Sequence, residues 1–280
     1  MQNKGAKPNP ASFTPLLCCL MYEEQMEKTF SCTLLLLSWS TISSKYVYIE
    51  EKMTWHKAQE FCQEHHTDLA HVSNSNDNQR LEDKRTERSW IGLYRNSTHR
   101  EKWRWSGGGE ASVLFWASDQ PDHKNGEDYG MIRDDGWHDV GPDDKTTFFC
   151  YSPIVVRKRK TWEEAMGYCR QHHRDLASLL SETEMMLISK ELLKTQSTEP
   201  VWIGLHFFSG KWLWVDGETT SYKAWGQGGE PGCPNSKQVC AALRMKDTNS
   251  MVSNFDNATN NFVYEWEARN CDDQLPLICH

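Results

Sequence analysis

The groups in this chain with chemistry to offer are cysteines, paired histidines, two sequons and one basic run. Ten cysteines are present; Cys18, Cys19 and Cys32 lie in the first 45 residues. The other seven are Cys62, Cys150, Cys169, Cys233, Cys240, Cys271 and Cys279. None forms a C-x-x-C knuckle, so wide spacing in an oxidising compartment reads as long-loop disulfides rather than a metal or redox site. Seven is odd, which leaves one thiol over. His65-His66 and His172-His173 could offer imidazoles to a transition metal. They recur at one helix position with no third ligand in register, and read as exposed helix ends. Arg157-Lys-Arg-Lys160 carries charge for an anion and reads as a solvated turn. Asn96 and Asn257 head Asn-x-Ser/Thr sequons, the candidate N-glycosylation sites. Gly-x-Ser-x-Gly, His-Glu-x-x-His and phosphate-loop patterns are missing, so the chain is not read as an enzyme.

The elements that position these groups come twice. Thr54-Trp-His-Lys-Ala-Gln-Glu-Phe-Cys62 recurs as Thr161-Trp-Glu-Glu-Ala-Met-Gly-Tyr-Cys169. Trp90-Ile-Gly-Leu93 recurs as Trp202-Ile-Gly-Leu205, Lys102-Trp-Arg-Trp105 as Lys211-Trp-Leu-Trp214, and Trp116 as Trp225. Each copy closes on a cysteine, Cys150 and Cys279. In each copy a Trp, an Ala and a Cys spaced three and four apart mark the buried face of a helix. Thr54 and Thr161 are N-cap candidates, and Thr161 with Glu164 predicts a capping box. Ser181 with Glu184 predicts another, ahead of a helix over Met185–Leu193. Short aromatic strands punctuated by Gly, Asn and Pro follow. Helices first and strands after is an α+β order.

At 280 residues the length fits two domains, and 38% hydrophobic with 25% charged residues is an ordinary globular balance. Thirteen tryptophans require dense aromatic cores or gripping surfaces. A net charge of −8 argues against nucleic acid and anionic membranes as partners, since both need basic surfaces. Met26–Ser44 reads as a signal peptide: a Lys, the apolar run Cys32–Trp39, then small polar residues. Residues 1–45 are therefore expected to be an N-terminal extension and signal peptide, with Met26 the true start. No apolar run reaches the roughly 18 residues a membrane-spanning helix needs. The expected product has no membrane span and is secreted into the extracellular space.

A helix bearing a Cys, Trp-Ile-Gly-Leu, a Trp-x-Trp pair, a Gln/Glu-Pro-x turn, a late Trp and a closing Cys together resemble the C-type lectin-like domain. In particular they resemble fish-type secreted lectins with two such domains in tandem. The resemblance covers residues 46–152 and 153–280. It implies two tandem α+β domains, each with two helices, short antiparallel sheets and a long loop region. It implies whole-domain disulfides Cys62–Cys150 and Cys169–Cys279, each stabilising by about 4–5 kcal/mol in the chain-entropy model. A second bridge, Cys240–Cys271, is implied for domain 2, whereas Tyr129 and Pro142 stand at those positions in domain 1. Cys233 has no family partner and is the candidate odd thiol, free or linking two chains as a dimer.

In this family Ca²⁺ sits in the loop region and sugar hydroxyls complete its shell; a hard cation wanting about 6–8 oxygens suits carboxylates and amides. Domain 1 supplies Gln120-Pro121-Asp122, the galactose-type turn whose Pro is usually cis, then Glu127 and Trp137-His138-Asp139. The resemblance thus implies Gln120, Asp122, Glu127 and Asp139 as calcium ligands. With His138, which stands where the family has an Asn amide, they form the sugar site. Imidazole serves Ca²⁺ poorly, so the site is expected to be weakened. In domain 2, Glu230-Pro231 survives, but Gly232 brings no side-chain oxygen, and Trp266-Glu267-Ala268 has one ligand swapped and one gone, so no calcium is expected there. Glycans or glycoproteins are the expected partners. The alternative is a calcium-independent, protein-binding member of the fold.

Overall fold

A computed structural model describes residues 45–124, 126–246 and 264–280. The signal-like segment, the early cysteines and Asn257 lie outside the described residues. The first unit runs β1 (Tyr46–Met53), α1 (Trp55–His65), β2 (Asp68–Leu69), α2 (Ser75–Lys84), β3 (Ser89–Arg95), β4 (Trp103–Trp105), β5 (Tyr129–Arg133), β6 (Gly136–Val140) and β7 (Thr146–Tyr151). The second repeats the order as β8 (Ile154–Lys160), α3 (Trp162–His172), α4 (Glu182–Lys194), β9 (Val201–Phe208), β10 (Lys211–Trp214), β11 (Cys240–Met245), β12 (Tyr264–Arg269) and β13 (Leu275–Cys279).

Each unit builds one sheet, ordered β1-β7-β3-β5-β6 in the first and β12-β11-β9-β13-β8 in the second. The sheets are mixed rather than wholly antiparallel. The closing strand inserts beside the opening strand and lies parallel to its other neighbour, β3 against β7 and β9 against β13. That placement puts the last cysteine under the first helix. Cys62–Cys150 and Cys169–Cys279 are both formed, spanning 88 and 110 residues.

The repeated tryptophans form the same nest twice. Trp105 meets Trp137 edge-on at 5.9 Å, and Trp214 meets Trp266 at 5.4 Å. Trp103 leans on Trp116 and Trp212 on Trp225, at 4.8 and 4.7 Å. Burying such rings is the largest single favourable contribution a small domain can make. Capping is less uniform. Thr161 and Glu164 form the expected box on α3, while Thr54 gives α1 no side-chain cap. On α4, Ser181 accepts from Glu184 N, but the Glu184 carboxylate reaches past Ser181 to Leu180 N and to Lys45. Arg157–Lys160 is no turn: it is the exposed half of β8, at the sheet edge.

The two units share one apolar core, which runs from Tyr46, Leu81 and Trp105 through Leu187, Ile203 and Trp214. Their contacts are related by a pseudo-two-fold. The start of α2 meets the loop after β10, where Asn74, Asn76 and Arg80 all bind Glu218. The start of α4 meets the loop after β4, where Thr183 donates to Gly108 O. Gly109 is needed here: its φ is +82°, and a Cβ would lie 2.6 Å from Thr183 Oγ1. At the centre, the equivalent carboxylates Asp77 and Glu184 grip one buried cation, Lys45, at 2.9 and 3.1 Å.

Candidate functional site

The loop between β4 and β5 of the first unit returns over β6 and brings three of the predicted acids together. Carboxylate oxygens of Asp122, Glu127 and Asp139 lie within 4.8 Å of one another. Gln120–Pro121 is the one cis peptide among the described residues. Gln120 stays beside the acids: its Oε1 accepts from Asp139 N and its Nε2 donates to Asp122, both at 3.4 Å. Asp139 is buried and anchors the loop, accepting from Asp122 N and His123 N at 3.0 Å each. His138 does not join them. The strand alternation of β6 turns it the other way, to Asp135 at 2.9 Å, and it holds that carboxyl below its usual range.

Two cations that the sequence reading did not single out stand in the site. Arg95, at the end of β3, is buried; it donates to Asp139 and to Glu127 O at 3.0 Å, and its guanidinium lies 5.2 Å from the Trp103 ring. Lys124 is exposed and places its ammonium 2.6 Å from Asp122. Bonded to Lys124, the Asp122 carboxyl is held down to about 2. Glu127 is pushed up, first by burial and then by its hydrogen bond with Asp122. The repeat carried the missing signal: Arg95 occupies the place of Phe207.

Chemically, Gln120, Asp122 and Glu127 of the loop and Asp139 of β6 offer an all-oxygen set, which fits Ca²⁺. Asp139 already spends three acceptor sites on Asp122 N, His123 N and Arg95. Lys124 must swing away before Asp122 can take a second cation.

The equivalent surface of the second unit is closed. Glu230 pairs with Lys223, and Glu265 and Glu267 pair with Arg244. Ala268 replaces Asp139 in the same register, opposite Ala241 as Asp139 is opposite Gly130. Cys240–Cys271 is formed. Tyr129 and Pro142 do stand in those places in the first unit. Pro142 O accepts from the first residue of α1 as Cys271 O does from the first of α3. The Tyr129 ring packs on Trp55 at 4.7 Å where a bridge would run. Cys233 is disulfide-bonded, and its other half lies outside the described residues. It is therefore not the free thiol expected, and a dimer linked through it has no support. Asn96 sits on the exposed loop after β3, its Oδ1 accepting from Thr98 N and His99 N.

The lectin C-type domain model matches residues 51–152 and again 158–280. The chain belongs to the C-type lectin domain family. C-type mannose receptor 2 of Mus musculus is 24% identical over 276 residues, covering 82% of this chain. The chain spans only 17% of that receptor's length. C-type lectin lectoxin-Phi1 of Philodryas olfersii is 36% identical over 134 residues, covering 46% of this chain and 75% of its own. Among solved structures, human lithostathine aligns at TM-score 0.36 and 25% identity, over 45% of this chain and 88% of its own. The family is generally not enzymatic. No described helix is long and apolar enough to cross a membrane.

Proposed function

We propose that the protein is a secreted, N-glycosylated lectin that binds carbohydrate through the Gln120-Pro121-Asp122 loop of domain 1, aided by a weakened calcium site there. Its ligand class is a galactose-type glycan or glycoprotein. The convergence of Asp122, Glu127 and Asp139 within 4.8 Å carries the reading. Vicinal sugar hydroxyls would complete the ion's shell while Gln120, Asp122 and Glu127 hydrogen-bond them. Weakness follows from Arg95 and Lys124, which neutralise part of the charge that would attract a divalent ion, and from His138 facing Asp135. Domain 2 contributes no calcium, since its remaining acids are paired internally.

The test is retention on galactose and mannose matrices with calcium or EGTA. Retention on galactose that EGTA abolishes, and that Asp122→Asn removes, supports the reading. A second reading, a calcium-independent protein binder, is favoured by the ion pairs of Lys124 and Arg95. Passage through both matrices unretained, with calcium present, would make it the better one.

A further inference from the structure

The basic run is the one motif the lectin site leaves unused. Residues Arg157 to Lys160 occupy the outer half of β8, whose second edge pairs with no described strand. Strand alternation sends Lys158 and Lys160 to the α3 side, roughly 6.6 Å apart along the chain. There they lie 5.7 and 5.5 Å from the Tyr168 ring, which also stacks on exposed His172 at 4.4 Å. Arg159 pairs with Glu199 on the opposite side. Arg157, Lys158 and Lys160 form no ion pair with any described residue, and the Glu164 carboxylate on α3 is turned back to Thr161 N. Domain 1 is an internal control. Its matching strand reads Glu50-Glu51-Lys52-Met53, with Phe61 in place of Tyr168. Charge on an edge strand deters strand addition, but mixed charges serve that end in β1. Unneutralised cations beside a tyrosine are surplus to it.

We propose that the β8–α3 face of domain 2 is a calcium-independent docking surface for a sulfated polysaccharide. Lys158 and Lys160 meet sulfates, and Tyr168 supports a sugar face. Sulfates along a glycan recur, as the lysines do, so one chain engages both. Non-sulfated neutral glycans lack the charge to pair with these lysines.

Heparin is the probe, bound to the full chain in EGTA at physiological salt and then at rising salt. The expected result is binding that weakens steeply with salt. Lys158→Gln and Lys160→Gln should each lose about fivefold in affinity, the size of one exposed ion pair. Lys158 is exposed and Lys160 half-buried, and neither ammonium is ion-paired with a described residue, so the variants should keep the parent's unfolding midpoint, and Glu51→Gln should leave heparin binding unchanged. Asp122→Asn, which disables the proposed calcium site, should also leave it unchanged, separating the two readings. No binding by the parent, or equal binding by the Lys158→Gln, Lys160→Gln double variant, overturns the proposal.

Discussion

Domains 1 and 2 are the same fold solved with different chemistry at the same two places. At the end of the third strand, domain 1 buries Arg95 against Asp139 with the guanidinium over Trp103. Domain 2 puts Phe207 on Trp212 at 5.5 Å and Ala268 beside it. Both members of the charged pair are exchanged together, as they must be, because a single buried charge left alone is costly. At the loop base, domain 2 ties Cys240 to Cys271, and domain 1 packs Tyr129 on Trp55 and His56 instead. Domain 1 therefore keeps a charged, less tethered loop with ligand-like acids, and domain 2 a tethered, internally neutralised one. The same position thus holds a buried ion pair in domain 1 and an apolar contact in domain 2.

The sharpest way to break the comparison is Asp139→Ala. It leaves Arg95 with Asp128 alone, at 3.2 Å, and unpairs Asp122 N and His123 N of the Gln120-Pro-Asp loop, and together these losses should cost about 3–5 kcal/mol in denaturant unfolding. Adding Arg95→Phe copies domain 2 and should recover most of that loss. A double variant no more stable than Asp139→Ala would refute the equivalence. Next in size, Cys240→Ser with Cys271→Ser opens a 31-residue loop and should cost about 3–4 kcal/mol. Installing cysteines at Tyr129 and Pro142 should return less than that in domain 1, because the Tyr129 contact with Trp55 is lost with the ring.

The interface supplies a pH test. Burial holds His71 down to about 3, and burial likewise holds His280 well below the ordinary value of 6.5. A histidine whose folded value is depressed stabilises fully above 6.5, and that contribution drains away as pH falls towards the folded value. Asp77 adds to this lower down: burial pushes its carboxyl up, but Lys45 prevails and the net value is about 2, against 3.8 ordinarily. Burial pushes Glu184 up despite Lys45, so its contribution is present below 4.5 and fades as pH rises through its folded value. The unfolding free energy from urea titration should therefore fall by a few kcal/mol, and the midpoint with it, between pH 6.5 and pH 4. Midpoints flat across that window would contradict the buried, neutral histidines. The smallest effect is expected of His138→Asn. The imidazole faces Asp135, so calcium affinity should change less than on removing Lys124, read by calorimetry.

The repeat made most of the fold legible. Trp-Ile-Gly-Leu, the Trp-x-Trp pairs and the terminal cysteines each recur because each packs against the next, and a motif of that kind leaves a mark in the sequence. Asp122, Glu127 and Asp139 do not recur in domain 2; the resemblance to the family's loop motifs singled them out, and the loop's return brings their carboxylates together. Arg95, Lys124 and Lys45 were not legible, because a cation's role depends on what lies across the fold from it, and each partner here is distant in sequence or set by a loop's return. The parallel placement of β7 and β13 was likewise a matter of topology, which short strand patterns do not encode. The same holds for β8, whose basic residues read as a turn until the strand pairing with β13 is seen.

A calcium titration of the full chain by calorimetry bears most directly on the asymmetry between the domains. The account predicts one weak site per chain, lost in Glu127→Gln, unchanged in Glu230→Gln, and tightened severalfold in Lys124→Gln, where Asp122 no longer carries an internal counter-ion. No site in either the parent or Lys124→Gln, or a site that survives Glu127→Gln and disappears with Glu230→Gln, would contradict it.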